Sequence, residues 1–260
     1  MTQTPVFSIL LILVLCAAWM IGLAGLQQRL PLKPEGFRKL LHLGSGLMAL
    51  GLPWLFQSPC PVLILCALSL LGLLAIKRVP ALRRRVGGVM DRVDRQTPGD
   101  LYFVAATGVL FLMAAGDPLL FGVPMAVLTF ADSAAALVGQ RCGRHRFQAG
   151  GGTKTFEGST AFFITAFFCA QVGLQVFAGR DPAATLLLAL LLALLLTLVE
   201  AVAGRGSDNF LIPIAGWLLL RVYAGRPASL LMIHFMIAVS ACVTAMLMQR
   251  FLRRRRTEQS

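Results

Sequence analysis

The chain has 260 residues, 57% of them hydrophobic and 13% charged, with a mean hydropathy of +0.78. A soluble domain of this length carries about one-quarter charged residues, so a soluble globular fold is excluded and a polytopic membrane protein is indicated. The net charge of +13 would suggest nucleic acid in a soluble protein. Here the basic residues fall in the gaps between apolar runs, where they set orientation and meet anionic headgroups, and no nucleic-acid partner is expected.

Apolar runs of membrane length lie near 5–26, 40–56, 60–76, 100–116, 119–139, 158–178, 183–203, 210–224 and 229–249. They predict an all-α polytopic integral membrane bundle of about nine transmembrane helices, within a range of eight to ten. The whole of 1–260 reads as a single transmembrane domain ending in a basic cytoplasmic tail at 250–260. The first run follows Met1-Thr-Gln-Thr-Pro5, which has no positive charge, and it is long enough to cross. A retained helix is therefore expected in place of a cleaved signal peptide. The second and third runs are short and joined by Gln57-Ser58-Pro59, the pattern of a helical hairpin, and Pro53 and Pro213 are candidate kinks.

The basic residues fix an orientation. With the N-terminus outside, segments 27–39, 77–99, 140–157, 204–209 and 250–260 face the cytoplasm, and of the 24 Lys and Arg only Arg180, Arg221 and Arg226 fall elsewhere. A cell inner membrane is the expected location. Every polar motif of the chain then lies at the cytoplasmic face, where nucleotides are. A transporter would instead carry polar groups near the midplane, in broken helices with internal repeats, and no convincing repeat is present.

Arg38, Lys39 and His42 open the second span. Arg38 and His42 are four apart and share a helix face, a spacing suited to phosphate binding and proton abstraction. The same residues also fit an ordinary positive flank with an interfacial histidine. In the fifth span, Asp132 lies about two helical turns, on the order of 10 Å, from the cytoplasmic end. A carboxylate at that depth costs several kcal/mol, at least about 2.5, and needs a reason to be there. Two fit: a divalent-metal ligand, or an acid paired with a base on a packing face whose small residues Ala136 and Gly139 admit a close neighbour.

The basic, glycine-rich stretch from Gln140 to Gly152 leads into Thr153-Lys154-Thr155-Phe156-Glu157-Gly158-Ser159 at the start of the sixth span. Backbone amides at Gly150, Gly151 and Gly152, a helix N-terminus and Lys154 make a candidate phosphate site. The spacing is not that of a Walker A loop, and Lys154 and Glu157 are also placed for a plain helix-surface ion pair. Glu200 closes the seventh span, and Asp208 and Asn209 open the eighth. They supply oxygen ligands on the face of Asp132 and Glu157, suited to Mg²⁺ bridging nucleotide phosphates, or a simple N-cap. The six cysteines sit mostly in apolar runs and read as small hydrophobes; Cys142-x-x-His145 lacks a second metal-binding pair.

Taken in order, Arg38-Lys39-x-x-His42, Arg95-x-x-x-Gly99-Asp100-Leu-Tyr102-Phe103, Asp132-Ser-Ala-Ala-Ala, Lys154-Thr-Phe-Glu157-Gly-Ser159 and Glu200…Asp208-Asn209…Pro213 resemble the CTP-dependent lipid-alcohol kinases. That family comprises phytol kinase, dolichol kinase and the CTP-dependent diacylglycerol kinase, and the resemblance spans roughly residues 36–216. The central part is also similar to phosphatidate cytidylyltransferases, but their C-terminal signature is missing and Ser207-Asp208-Asn209 stands in its place. The resemblance implies γ-phosphoryl transfer from CTP, with Mg²⁺, to an isoprenoid or acylglycerol hydroxyl that enters from the surrounding membrane lipid. It implies Asp132, Glu157, Asp208 and Glu200 for the metal. Lys154, Thr155, Asn209 and the glycine amides would hold the nucleotide, and Arg38, Lys39 and His42 would act on the transferring group and the acceptor.

Overall fold

The computed structural model describes residues 4–27, 29, 34–79, 98–150, 152–179 and 181–258. Within them the helices are α1 (Pro5–Gln27), α2 (Pro34–Leu50), the short α3 (Leu52–Leu55), α4 (Pro59–Arg78), α5 (Gly99–Ala114) and α6 (Pro118–Ala126). A π turn, Val127–Ala131, continues α6 into α7 (Asp132–Cys142). A hairpin of β1 (Arg146–Ala149) and β2 (Gly152–Thr155) precedes α8 (Phe156–Ala178), α9 (Pro182–Val202), α10 (Asp208–Tyr223) and α11 (Ala228–Glu258). The protein is thus an all-α polytopic membrane bundle, and each predicted span corresponds to a helical rod.

Six of these rods are long and apolar enough to cross a bilayer, the α6–π–α7 rod counted as one, while α2, α5 and α10 are shorter. The densest packing is among α6 to α10. Along α8 the buried residues Gly158, Phe162, Ala166, Ala170 and Leu174 recur every four positions, a row that seats against α9 and α7. Small residues in that row let the helices approach, which in lipid is the main source of association. Facing it, α9 buries Leu188, Leu191, Leu192 and Leu196 almost completely. By contrast α1 and α11 expose Val6, Phe7, Val14, Ile233, Met236 and Ile237. In water such faces would aggregate; in hydrocarbon they are the lipid-facing surface.

α2 begins at Pro34, six residues before the predicted span start at 40. Proline at the first helical position has its φ preset and loses no needed hydrogen bond, and Glu35 in the first turn complements the helix dipole. Arg38 and Lys39 are therefore inside a helix and not in its flank. The predicted basic loop before α8 contains a two-stranded hairpin, paired from Arg146↔Thr155 to Ala149↔Gly152. At the opposite end of the bundle, Asp117 and Asp181 cap α6 and α9, accepting from Leu119 N at 2.8 Å and Ala184 N at 2.9 Å. The tail predicted at 250–260 continues α11 as helix to Glu258.

Candidate active site

The ends of α2, α4, α5, α7, α8, α9 and α10 that carry the polar motifs meet at one end of the bundle. α2 supplies the first group. Its Arg38 is held by Glu35, one turn earlier, through Nε at 2.9 Å and through Nη2. Lys39 is buried and its Nζ donates to Asp132 Oδ2 at 2.5 Å. His42 Nε2 lies 3.1 Å from the Leu128 carbonyl oxygen and 3.5 Å from Asp132 Oδ2. Asp132, the carboxylate whose depth demanded a reason, is thus neutralised by two residues of a helix 93 positions away in sequence from its lysine.

The local backbone explains how Asp132 comes to face α2. Pro124 inside α6 removes one backbone donor, and the ladder relaxes through the π turn immediately before Asp132. The turn's own Leu128 carbonyl accepts from His42 when Nε2 carries the proton. On the other side of α7, the small-residue face meets α8: a Cβ on Gly158 would lie 2.9 Å from the Ala135 carbonyl oxygen. The close neighbour admitted by those small residues is a helix.

The hairpin supplies the second group. Lys154, on β2, ion-pairs with Glu200 at the end of α9 and lies 4.0 Å from Asp208 Oδ2 at the start of α10. It does not pair with Glu157, which binds His145 through its backbone N at 3.2 Å and its Nδ1 at 2.7 Å. The hairpin tip is held by backbone contact. Gly150 sits at φ +56°, and a Cβ on Gly204 would collide with the Gly150 carbonyl, so only glycine fits where the two loops cross. Gly152 pairs with Ala149 in the hairpin, Thr155 caps α8 by accepting from Gly158 N at 3.1 Å, and Gly151 lies outside the described residues.

The two groups adjoin. Glu200 interacts electrostatically with both Asp132 and Asp208, and Arg38 with the same two aspartates. Asn209, placed for nucleotide or metal by the sequence, is buried and donates through Nδ2 to the Gly99 carbonyl at 2.7 Å. That bond ties α10 to the start of α5. There Asp100 pairs with Lys77 at the end of α4, 2.7 Å away. Sequence reasoning assigned neither Asp100 nor Lys77 a role. The signal was present: opposite charges close one span and open the next, on the same expected face.

Among the described residues, no group of three His, Cys, Asp or Glu converges to hold a metal by protein ligands alone. Mg²⁺ on a nucleotide needs only one or two carboxylates, with phosphates and water completing its shell. Glu200 Oε2 is buried with no hydrogen-bond partner among the described residues, and Asp208 stands beside it across Lys154. Those two carboxylates fit the ion; Asp132 is engaged by Lys39 and Glu157 by His145. The six cysteines are free, and Cys142 has no metal-binding partner among the described residues.

No family model matches the chain, and no solved structure matches it. Among curated proteins it is similar to a phytol kinase of Synechocystis sp., 30% identical over 200 residues that cover 75% of this chain and 83% of the relative. The order of motifs, their convergence at one end of a membrane bundle and this similarity over most of both chains agree, and the protein belongs to the lipid-alcohol kinase family that includes phytol kinase.

Proposed function

We propose that the protein is a membrane-embedded kinase that transfers the γ-phosphate of CTP to the hydroxyl of a lipid alcohol, with an isoprenoid alcohol as the acceptor class. The observation that carries this reading is the meeting of Lys154, Glu200 and Asp208 beside the Lys39–Asp132–His42 group. Phosphoryl transfer asks a protein mainly to hold donor and acceptor in line and to neutralise charge. Lys154, at the end of a hairpin and partly exposed, is placed to exchange a carboxylate for the nucleotide's phosphates. Asp208 and Glu200 would hold Mg²⁺, which when bound supplies charge neutralisation at the β- and γ-phosphates. Arg38, at the opposite wall, is placed against the transferring group. As the acceptor oxygen bonds to the γ-phosphorus, the bond from that phosphorus to the β-phosphate oxygen breaks and CDP leaves; the acceptor's proton is released.

The kinship with phytol kinase and the absence of the cytidylyltransferase ending support a kinase. The Lys/Arg asymmetry supports an N-terminus outside and a cytoplasmic site in an inner membrane. The test uses membranes containing the protein with γ-labelled or α-labelled CTP, Mg²⁺ and a panel of lipid alcohols. Label should reach lipid from the γ position only. Lipid labelled from the α position, with equal pyrophosphate, would assign the protein to cytidylyl transfer, and no label from either would retire both readings.

A further inference from the structure

Between α1, α2, α4 and α5 lies a cavity of about 600 Å³, within the roughly 300–1,000 Å³ of small-molecule sites. Its wall on α4 runs from Leu65 to Lys77, which at 1.5 Å per residue is about 18 Å, more than half of a bilayer's hydrocarbon depth. Most of the wall is apolar. Polar residues enter it where the motifs meet: Arg38, His42, Lys77, Asp100 and Asn209. The cavity therefore shares Arg38 and His42 with the group around Asp132, and Asn209 adjoins Asp208.

The hydrogen-bonding inventory at that end is one-sided. Its donors are already engaged: Arg38 with Glu35, Lys77 with Asp100, and Asn209 Nδ2 with the Gly99 carbonyl. His42 Nε2 is occupied by Leu128 and Asp132. Asp100 Oδ2, by contrast, is buried and has no hydrogen-bond partner among the described residues. A buried carboxylate oxygen without a donor carries a desolvation cost that a ligand hydroxyl would relieve. A plain alcohol brings one donor and no acceptors beyond its own oxygen. A diacylglycerol brings ester carbonyls for which this end offers no disengaged donor.

We propose that this cavity binds the acceptor as a single-chain alcohol, its tail lying along α4 and its hydroxyl donating to Asp100 Oδ2. On transfer, the hydroxyl proton passes to the Asp100 carboxylate as the oxygen bonds to the γ-phosphorus and the nucleoside diphosphate departs, the part an aspartate plays toward the substrate hydroxyl in protein kinases. This rests on the lipid-alcohol kinase reading given above. It adds the residue that receives the hydroxyl, the groove that takes the tail, and the exclusion of diacylglycerol.

Gly72 offers a test of the groove. It lines the cavity, and a Cβ there meets nothing within 4 Å, so a large side chain enters the groove without disturbing packing. With full-length protein in membranes, Gly72→Phe should lower kcat/KM for a four-isoprene alcohol about tenfold or more relative to a two-isoprene alcohol. Asp100→Asn should lower kcat about 10²-fold or more while leaving the KM for CTP within about threefold. A long-chain alcohol with a photoactivatable tail should cross-link to the Leu65–Leu73 stretch in the wild type and lose that label in Gly72→Phe. An unchanged chain-length ratio, near-wild-type kcat in Asp100→Asn, or labelling confined to other helices would overturn the proposal. The cross-link separates the two readings: label on α4 without phosphate transfer to any alcohol removes the kinase and keeps the lipid site. Transfer with label elsewhere does the reverse.

Discussion

Lys39 and Lys154 each reach a carboxylate on a distant element, yet they sit in unlike surroundings. Lys39 is 5% exposed, inside α2, and meets Asp132 between two membrane helices. Lys154 stands on a β-hairpin with its side chain 21% exposed and has two carboxylates in reach, Glu200 and Asp208. The first pair cannot open without leaving an uncompensated charge at hydrocarbon depth. The second can, because solvent reaches the lysine and an arriving phosphate would replace the carboxylate it gives up. One pair thus fixes the geometry of the site, and the other is free to take part in binding.

The sharpest way to break that comparison is to remove Lys39. Lys39→Met leaves the Asp132 carboxylate buried without its main partner and should cost about 3–5 kcal/mol of stability. Thermal unfolding in detergent would register this as a marked fall in midpoint. Lys39→Met combined with Asp132→Leu should recover most of the stability and still transfer no phosphate. If the single variant were as stable as the wild type, the pair would not hold the bundle together.

Lys154→Ala and Asp208→Asn come next. Each should lower turnover about 10²-fold or more, as loss of a phosphate or metal contact does, with normal membrane insertion. Near-wild-type transfer of label from γ-labelled CTP by Asp208→Asn would remove this group from the chemistry. A smaller effect is expected from Gly204→Ala, which pushes against Gly150 and displaces the hairpin that carries Lys154. The KM for CTP should rise by roughly tenfold with kcat changed much less, since a misplaced contact weakens binding before it alters the reaction. Smallest is Glu157→Gln at the exposed His145 pair, expected to shift turnover by no more than about threefold, as exposed ion pairs contribute little. A loss as large as that of Asp208→Asn would return Glu157 to the metal site.

The sequence made the spans, their probable side and most of the charged motifs readable because hydropathy and Lys/Arg asymmetry are one-dimensional signals. It could not pair the charges. Lys39 with Asp132 and Lys154 with Glu200 are joined across 93 and 46 residues, and nothing local distinguishes these partners from Lys154 with Glu157, which spacing alone favoured. The start of α2 was misplaced because a hydropathy window penalises Arg38 and Lys39, whereas in the bundle Glu35 and Asp132 compensate them. The hairpin's four-residue strands are too short for a period-two pattern to emerge. The cavity is a property of how α1, α2, α4 and α5 lean together, and no single helix records it.

The π turn at Val127–Ala131 has a consequence for how this chain tolerates insertion and deletion. A helix counts angle by residues, about 100° for each, so a wide turn in mid-rod acts as a phase adjustment for everything that follows. Deleting one residue there would leave the hydropathy of the rod, its length class and every downstream amino acid almost unaltered, yet would swing Asp132 about a quarter-turn away from Lys39 and His42. A one-position gap at Leu128 in a related chain would therefore mark a protein that keeps the bundle and has lost the alignment of its charged centre.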